Sequence, residues 1–266
     1  MALPVGCASR PKRDPDQAQI RFQLAAGYFR DQRVEAAIEE LQKAIQADPD
    51  NADSYNMLGI IALKQGHDYL MQLETSSCLK GTDAEMVRAD ALAKFRQAEQ
   101  EFRKAVTLRP EFPEAWNNLS VSLLQEQAWE AAIDAARNAL KDPSYATPEL
   151  ARGNLGWAYY QKRDLQNAWK ELHEALSRNP GFCVGRYRLA KVYVDRGDVR
   201  QAAEILEPLF ADSKRCPIQE AYLLGGLVSE RTNAREKAQE LFQRCADMAP
   251  RSCVADECRQ YAQLIR

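Results

Sequence analysis

An all-α, right-handed superhelical solenoid of six helix-turn-helix repeats, closed by a C-terminal capping helix, is the fold class that this sequence predicts. Three observations carry the expectation. A degenerate block of about 34 residues recurs across 18–250, a period that fits a pair of helices joined by a tight turn. In each block a small residue marks one place on the first helix, and an alanine marks the facing place on the second. Pro49, Pro110, Pro180 and Pro250 stand where blocks end. A proline stops a helix there because it has no N–H to donate and its ring collides with the turn before it.

Residues 1–16 hold three prolines and no helical period, so they read as the remnant of a leader followed by a tether. From Gln17 the period begins, and six repeats fill 17–251. Leu24, Ala25 and Tyr28, then Ala37, Leu41 and Ala44, make the first. Tyr55, Leu58 and Gly59 open the second, which Ala98, Phe102 and Ala105 close. Trp116 and Leu119 with Ala132, Ala136 and Ala139 make the third. Leu155, Gly156 and Tyr159 with Ala168, Leu172 and Ala175 make the fourth. Leu189, Ala190 and Tyr193 with Ala202 and Leu206 make the fifth, and Tyr222 and Gly226 with Ala238, Phe242 and Cys245 the sixth. Residues 252–266 form the capping helix, with Ser252 as N-cap and Asp256 and Glu257 in the first turn. The anchors are core and punctuation, and together they resemble the tetratricopeptide repeat.

The second repeat breaks the period. Its first helix reads as 52–64 and its second as 93–108, which leaves an insert of about 66–90 between them. The run from Ala84 onward is a good helix former, so the second helix is expected to start early. Insertions in solenoids fall on one face, and long ones are often functional. A tolerated, partly ordered hairpin fits the same residues.

Composition narrows the function. A net charge of −2 with no strongly basic segment argues against nucleic acid. Two histidines, His67 and His173, are too few for histidine-based catalysis or metal binding. No cysteine has a positioned base nearby, no CxxC pair occurs, and no small-molecule substrate or cofactor is implied. The chain reads as a non-enzymatic binding scaffold.

In such repeats the residues one position past the first core anchor, and those a turn further on, face the concave groove. That spacing selects Phe22 and Phe29, Asn56, Asn117, Trp157 and Tyr160, and Tyr187 as partner-binding residues. The set is apolar and aromatic for a face that water should see, which marks either an interaction surface or the superhelix's own packing. Lys191 is the one cation expected at a groove position. An apolar helix or strand therefore suits the groove better than a charged C-terminal tail.

Seven cysteines are many for a scaffold. Cys7 stands apart, and the remaining six could form three bridges in fifteen ways. Cys183 and Cys216 open successive repeats on one rim, while Cys245 and Cys258 sit on helices that should run antiparallel. Cys183–Cys216 and Cys245–Cys258 are thus the geometric preferences. Disulfides would imply an oxidising compartment.

Gly6-Cys7-Ala8-Ser9 looks like the end of a bacterial lipoprotein signal, although Pro4 and the short apolar stretch depart from the usual pattern. With the Leu24–Tyr28 opening and the segment YATPELARGNLGWAYYQ, the chain resembles the PilF/PilW/Tgl family of type IV pilus biogenesis lipoproteins, and within it Tgl most. The resemblance implies a pilotin: an outer-membrane lipoprotein facing the periplasm, lipidated at Cys7. Such a protein binds secretin subunits and promotes their multimerisation, and so serves pilus assembly and motility. The long insert and the cysteine-rich C-terminus depart from the smaller members. A general adaptor or cochaperone scaffold for another envelope or cytosolic complex is the alternative.

Overall fold

A computed structural model describes residues 13–75, 78, 80–212 and 214–265. Among them every regular element is a helix, in six antiparallel pairs and a cap. The pairs are α1 (Pro15–Arg30) with α2 (Val34–Ala47), α3 (Ala52–Thr75) with α4 (Thr82–Leu108), and α5 (Pro113–Gln125) with α6 (Trp129–Ala139). Then come α7 (Pro148–Gln161) with α8 (Leu165–Arg178), α9 (Cys183–Asp195) with α10 (Val199–Ala211), and α11 (Gln219–Arg231) with α12 (Arg235–Met248). The cap is α13 (Cys253–Leu264).

Local chemistry sets most boundaries. Asp14 accepts a hydrogen bond from the Gln17 amide and caps α1, with Pro15 in the first turn, so the first helix starts two residues before the expected Gln17. Asp164 caps α8 and Ser252 caps α13, the latter by accepting from the Ala255 amide at 3.0 Å. The helices ahead of Pro49, Pro110, Pro180 and Pro250 all end before the proline. α10 is the exception to proline's veto, since Pro208 lies inside it, followed by buried Leu209 and Phe210.

The described residues of the insert are helical on both sides of its tip. α3 runs eleven residues past the expected Lys64, while α4 starts at Thr82, the early start that the helix-forming run from Ala84 predicts. The reason lies in the packing. A Cβ on Gly59 would stand 2.5 Å from the Phe102 ring, so only glycine lets that ring lie on the helix. Gly66 and Phe95 repeat the same 2.5 Å contact, seven residues on along α3 and seven back along α4. Ala91 and Ala84 continue the buried seam toward the tip. The insert thus extends one helical hairpin in its own register.

Three disulfides tie the fold. Cys183–Cys216 joins the start of α9 to the segment ahead of α11, and Cys245–Cys258 joins α12 to α13. Cys78–Cys253 joins the tip of the long hairpin to the start of the cap, across 175 residues of sequence. The first helices of the repeats pack in series, α3 on α5, α5 on α7, α7 on α9 and α9 on α11; α11 meets α13, and α13 returns to α3. α3 comes within 8 Å, Cα to Cα, of none of α7, α9 or α11. The six helices therefore close a circuit around the concave side, with α1 packed outside it against α3.

Candidate functional site

The concave side is built mainly by α5, α7 and α9. Trp157 and Tyr160, one turn apart on α7, stack with ring centroids 4.8 Å apart. Tyr187, on α9, is one turn before Lys191, whose ammonium stands 5.9 Å from the ring centres of both Tyr160 and Tyr187. A cleft of about 370 Å³ opens between Trp157, Tyr160, Gln161, Arg163 and Lys191. Burial and the Asp195 carboxylate push the Tyr160 hydroxyl up to about 12, and burial also raises Tyr187. Both rings therefore stay neutral at any physiological pH.

A polar line runs across the floor from helix to helix. Asn118 donates to the Asn56 side-chain oxygen at 3.1 Å. Asn154 donates to Asn117 at 3.0 Å and to the Ser120 hydroxyl at 3.2 Å. Arg188 donates to the Gly153 carbonyl at 3.0 Å and to the Asn154 oxygen at 3.3 Å, and lies 5.2 Å from the Trp157 ring centre. These pairings satisfy buried amides that would otherwise cost 1–3 kcal/mol or so each. Arg188 differs, because its acceptors are neutral oxygens. Burial lowers its pKa to about 10, so the guanidinium remains charged at neutral pH. A half-buried cation facing neutral partners attracts a carboxylate or a carbonyl from a ligand.

The predicted residues divide accordingly. Trp157, Tyr160 and Tyr187 come together. Asn117 is buried and spends its oxygen on Asn154, so it shapes the floor, while Asn56 is held by Asn118. Phe22 and Phe29 pack against Ala25, Ala37, Leu41 and Ile61 of the first two repeats, away from the aromatic cluster. Cys7 lies outside the described residues. Sequence reading missed Arg188 and Asn154, although Arg188 beside Tyr187 and Asn154 beside Gly153 each stand one place from a residue it did select. It also found too few cations, since Arg188 and Arg163 join Lys191.

A second cleft, about 470 Å³, lies where the long hairpin meets the end of α5, between Leu70, Leu92, Phe95, Arg88 and Glu126. Glu126 Oε1 is buried with no hydrogen-bond partner among the described residues. Burial first, and then the neighbouring Glu99 charge, raise its carboxyl to about 7 against the pull of Arg96. The folded pKa exceeds the unfolded one, so this group's contribution is intact below about pH 4.5 and is lost as pH rises through 7. Glu126→Gln should therefore change little at pH 5 and stabilise the protein by about 1–2 kcal/mol at pH 8, allowing for water on one side. Chemical denaturation at the two pH values reads this directly; equal effects at both would rule it out.

A TPR-repeat family model matches residues 28–66, and a tetratricopeptide-repeat model matches 87–147 and 187–252. These matches span most of the chain. It is a tetratricopeptide-repeat protein. The structure adds the α7–α8 pair between the matched segments and the tip of the long hairpin. Solved structures extend the likeness over nearly the full length. The crystal structure of PilW, described as a widely conserved type IV pilus biogenesis factor, is 21% identical over 90% of this chain and 97% of its own, with a TM-score of 0.69. PilF of Pseudomonas aeruginosa is 19% identical over 92% and 97%, with a TM-score of 0.71. The protein MamA is 18% identical over 75% and 93%, with a TM-score of 0.56. At these identities the likeness is one of fold. This tetratricopeptide-repeat protein has a PilW- and PilF-like architecture, while a place nearest Tgl rests on the sequence resemblance alone.

Proposed function

We propose that this protein is a pilotin, an outer-membrane assembly factor that holds a secretin segment in its concave face and promotes secretin multimerisation for type IV pilus assembly. The observation that carries the reading is the aromatic cluster of Trp157, Tyr160 and Tyr187 beside a half-buried Arg188 that has no ion-pair partner among the described residues. It suits an apolar helix or strand that brings one acidic side chain or an exposed carbonyl. The PilW-like fold supports the same reading, as does the lipoprotein-like Gly6-Cys7 motif, which would place a lipid at Cys7 and the scaffold on the periplasmic face. No catalytic step is required of it.

Heat-resistant secretin multimers measured with and without the gene test the role. Monomers accumulating at the expense of multimers support it, and unchanged multimers sink it. Trp157→Ala with Tyr160→Ala should weaken secretin binding by a factor of about thirty or more, an expected loss of about 2 kcal/mol or above for interface anchors, with helicity retained. Full binding by that variant would move the site elsewhere.

A further inference from the structure

The helix circuit has a seam. Its other junctions join helices of neighbouring repeats or the last repeat to its cap, but the return from α13 to α3 joins elements far apart in the chain. Cys78–Cys253 sits on that seam. Three features set the bridge apart. Both of its cysteines keep some exposure, whereas Cys216, Cys245 and Cys258 are buried, so each of the other two bridges has at least one shielded sulfur. Cys78 also holds a φ of 44°, a left-handed conformation that a residue with a Cβ adopts under constraint. Finally, partial desolvation first, and then the Glu220 charge at the start of α11, raise the carboxyl of Glu74 near the end of α3. Like charges at a seam favour its opening once the covalent link is cut.

We propose that the α3–α4 hairpin is a strap closing the concave face, and that Cys78–Cys253 is the redox-addressable latch that holds it shut. The step is thiol–disulfide exchange with a dithiol reductant. One reductant thiolate attacks a latch sulfur, the S–S bond breaks, and a mixed disulfide forms with release of one cysteine thiolate. The second reductant thiolate then displaces the other cysteine. The chain gains two electrons and two protons as Cys78 and Cys253 thiols, and the reductant leaves as a disulfide. Released, the strap keeps its own packing, because Gly66 still lies under Phe95 and the buried Ala84 and Ala91 seam is internal to the hairpin. It can move as one body about its base on the second repeat. Latched, the circuit admits a segment of chain from its open ends; unlatched, it admits one from the side. The latch itself is independent of the occupant, and only its effect on binding rests on the secretin reading.

The oxidised, full-length protein is titrated with dithiothreitol, quenched by alkylation and mapped by mass spectrometry. Cys78 and Cys253 should be alkylated at least about tenfold faster than the other four bridged cysteines, as exposure predicts. In parallel, spin labels attached by non-cysteine chemistry at Lys80 and Glu257 report the seam. Their distance distribution should be narrow in the oxidised protein and should lengthen and broaden on mild reduction and in Cys78→Ser/Cys253→Ser. Earlier opening of either other bridge would overturn the latch, and an unchanged distribution in the double variant would overturn the strap. Secretin binding kinetics are then compared in the oxidised protein and the double variant. Faster association and dissociation in the variant support gating, and equal rates with an opened seam overturn it. Absence of secretin binding in both forms would count against the pilotin reading while leaving the two label-based outcomes to decide the strap.

Discussion

Phe102→Ala is expected to lower the unfolding free energy by about 3–5 kcal/mol. The ring is fully buried, and it lies against Gly59 at a distance that a single added carbon would violate. Its cluster includes Ala98, Ala105, Leu119 and Ile133, so it couples the second repeat to the third. Removal leaves a void that glycine on one side and alanines on the other cannot fill, because none has a rotatable side chain to swing into it. Neighbouring repeats support one another chiefly through their shared interface, so the loss should propagate to α5 and α6. Denaturant titration together with hydrogen exchange over α3 to α6 measures both effects. A loss below about 1 kcal/mol would mean that the hairpins do not depend on this interface.

The second large effect is expected at the cap. Cys245→Ala with Cys258→Ala should cost about 3 kcal/mol, the scale for a bridge that closes a short loop. Both cysteines are fully buried, and the bridge spans 13 residues between α12 and α13. The cap's remaining hold on α12 includes the Phe242–Tyr261 stack at 5.5 Å. Without the bridge, α13 should exchange its amides faster and expose the apolar face of the last repeat. Because α13 also carries Cys253, the seam with α3 should loosen in the same variant. Exchange of 253–264 and the midpoint of thermal unfolding read this; unchanged exchange would show that apolar packing alone seats the cap.

The aromatic part of the candidate site was legible because Trp157, Tyr160 and Tyr187 sit at fixed offsets from anchors such as Leu155 and Leu189. A repeat's register follows from its anchors, so these offsets translate directly into a face. Arg188 was not legible. A charged residue on an amphipathic helix reads as solvent-facing, and only the approach of α7 brings the Gly153 carbonyl and Asn154 within its reach. Phe22 and Phe29 show the reverse: their spacing matches the groove rule, but the first repeat uses them to cover its own core and that of α3.

The long hairpin draws the same line. Gly66, Ala84, Ala91 and Phe95 were visible as residues, yet one sequence cannot distinguish an ordered insert from a tolerated loop when the pairing runs between two segments of the same insert. Pro208 shows how packing overrides a local rule, since the residues after it are buried and hold α10 in helix through the proline. By itself, then, the sequence determined an all-helical tetratricopeptide solenoid, its repeat register and the aromatic character of its inner face. Those follow from local periodicity, with small residues against large ones and prolines at boundaries. Only the tertiary structure decided that the second repeat is lengthened in register, that Arg188 turns inward onto neutral acceptors of α7, and that α13 returns to α3 through Cys78–Cys253. Each of these depends on where the superhelix carries residues far apart in the chain, and the curvature that decides it accumulates over every repeat between them.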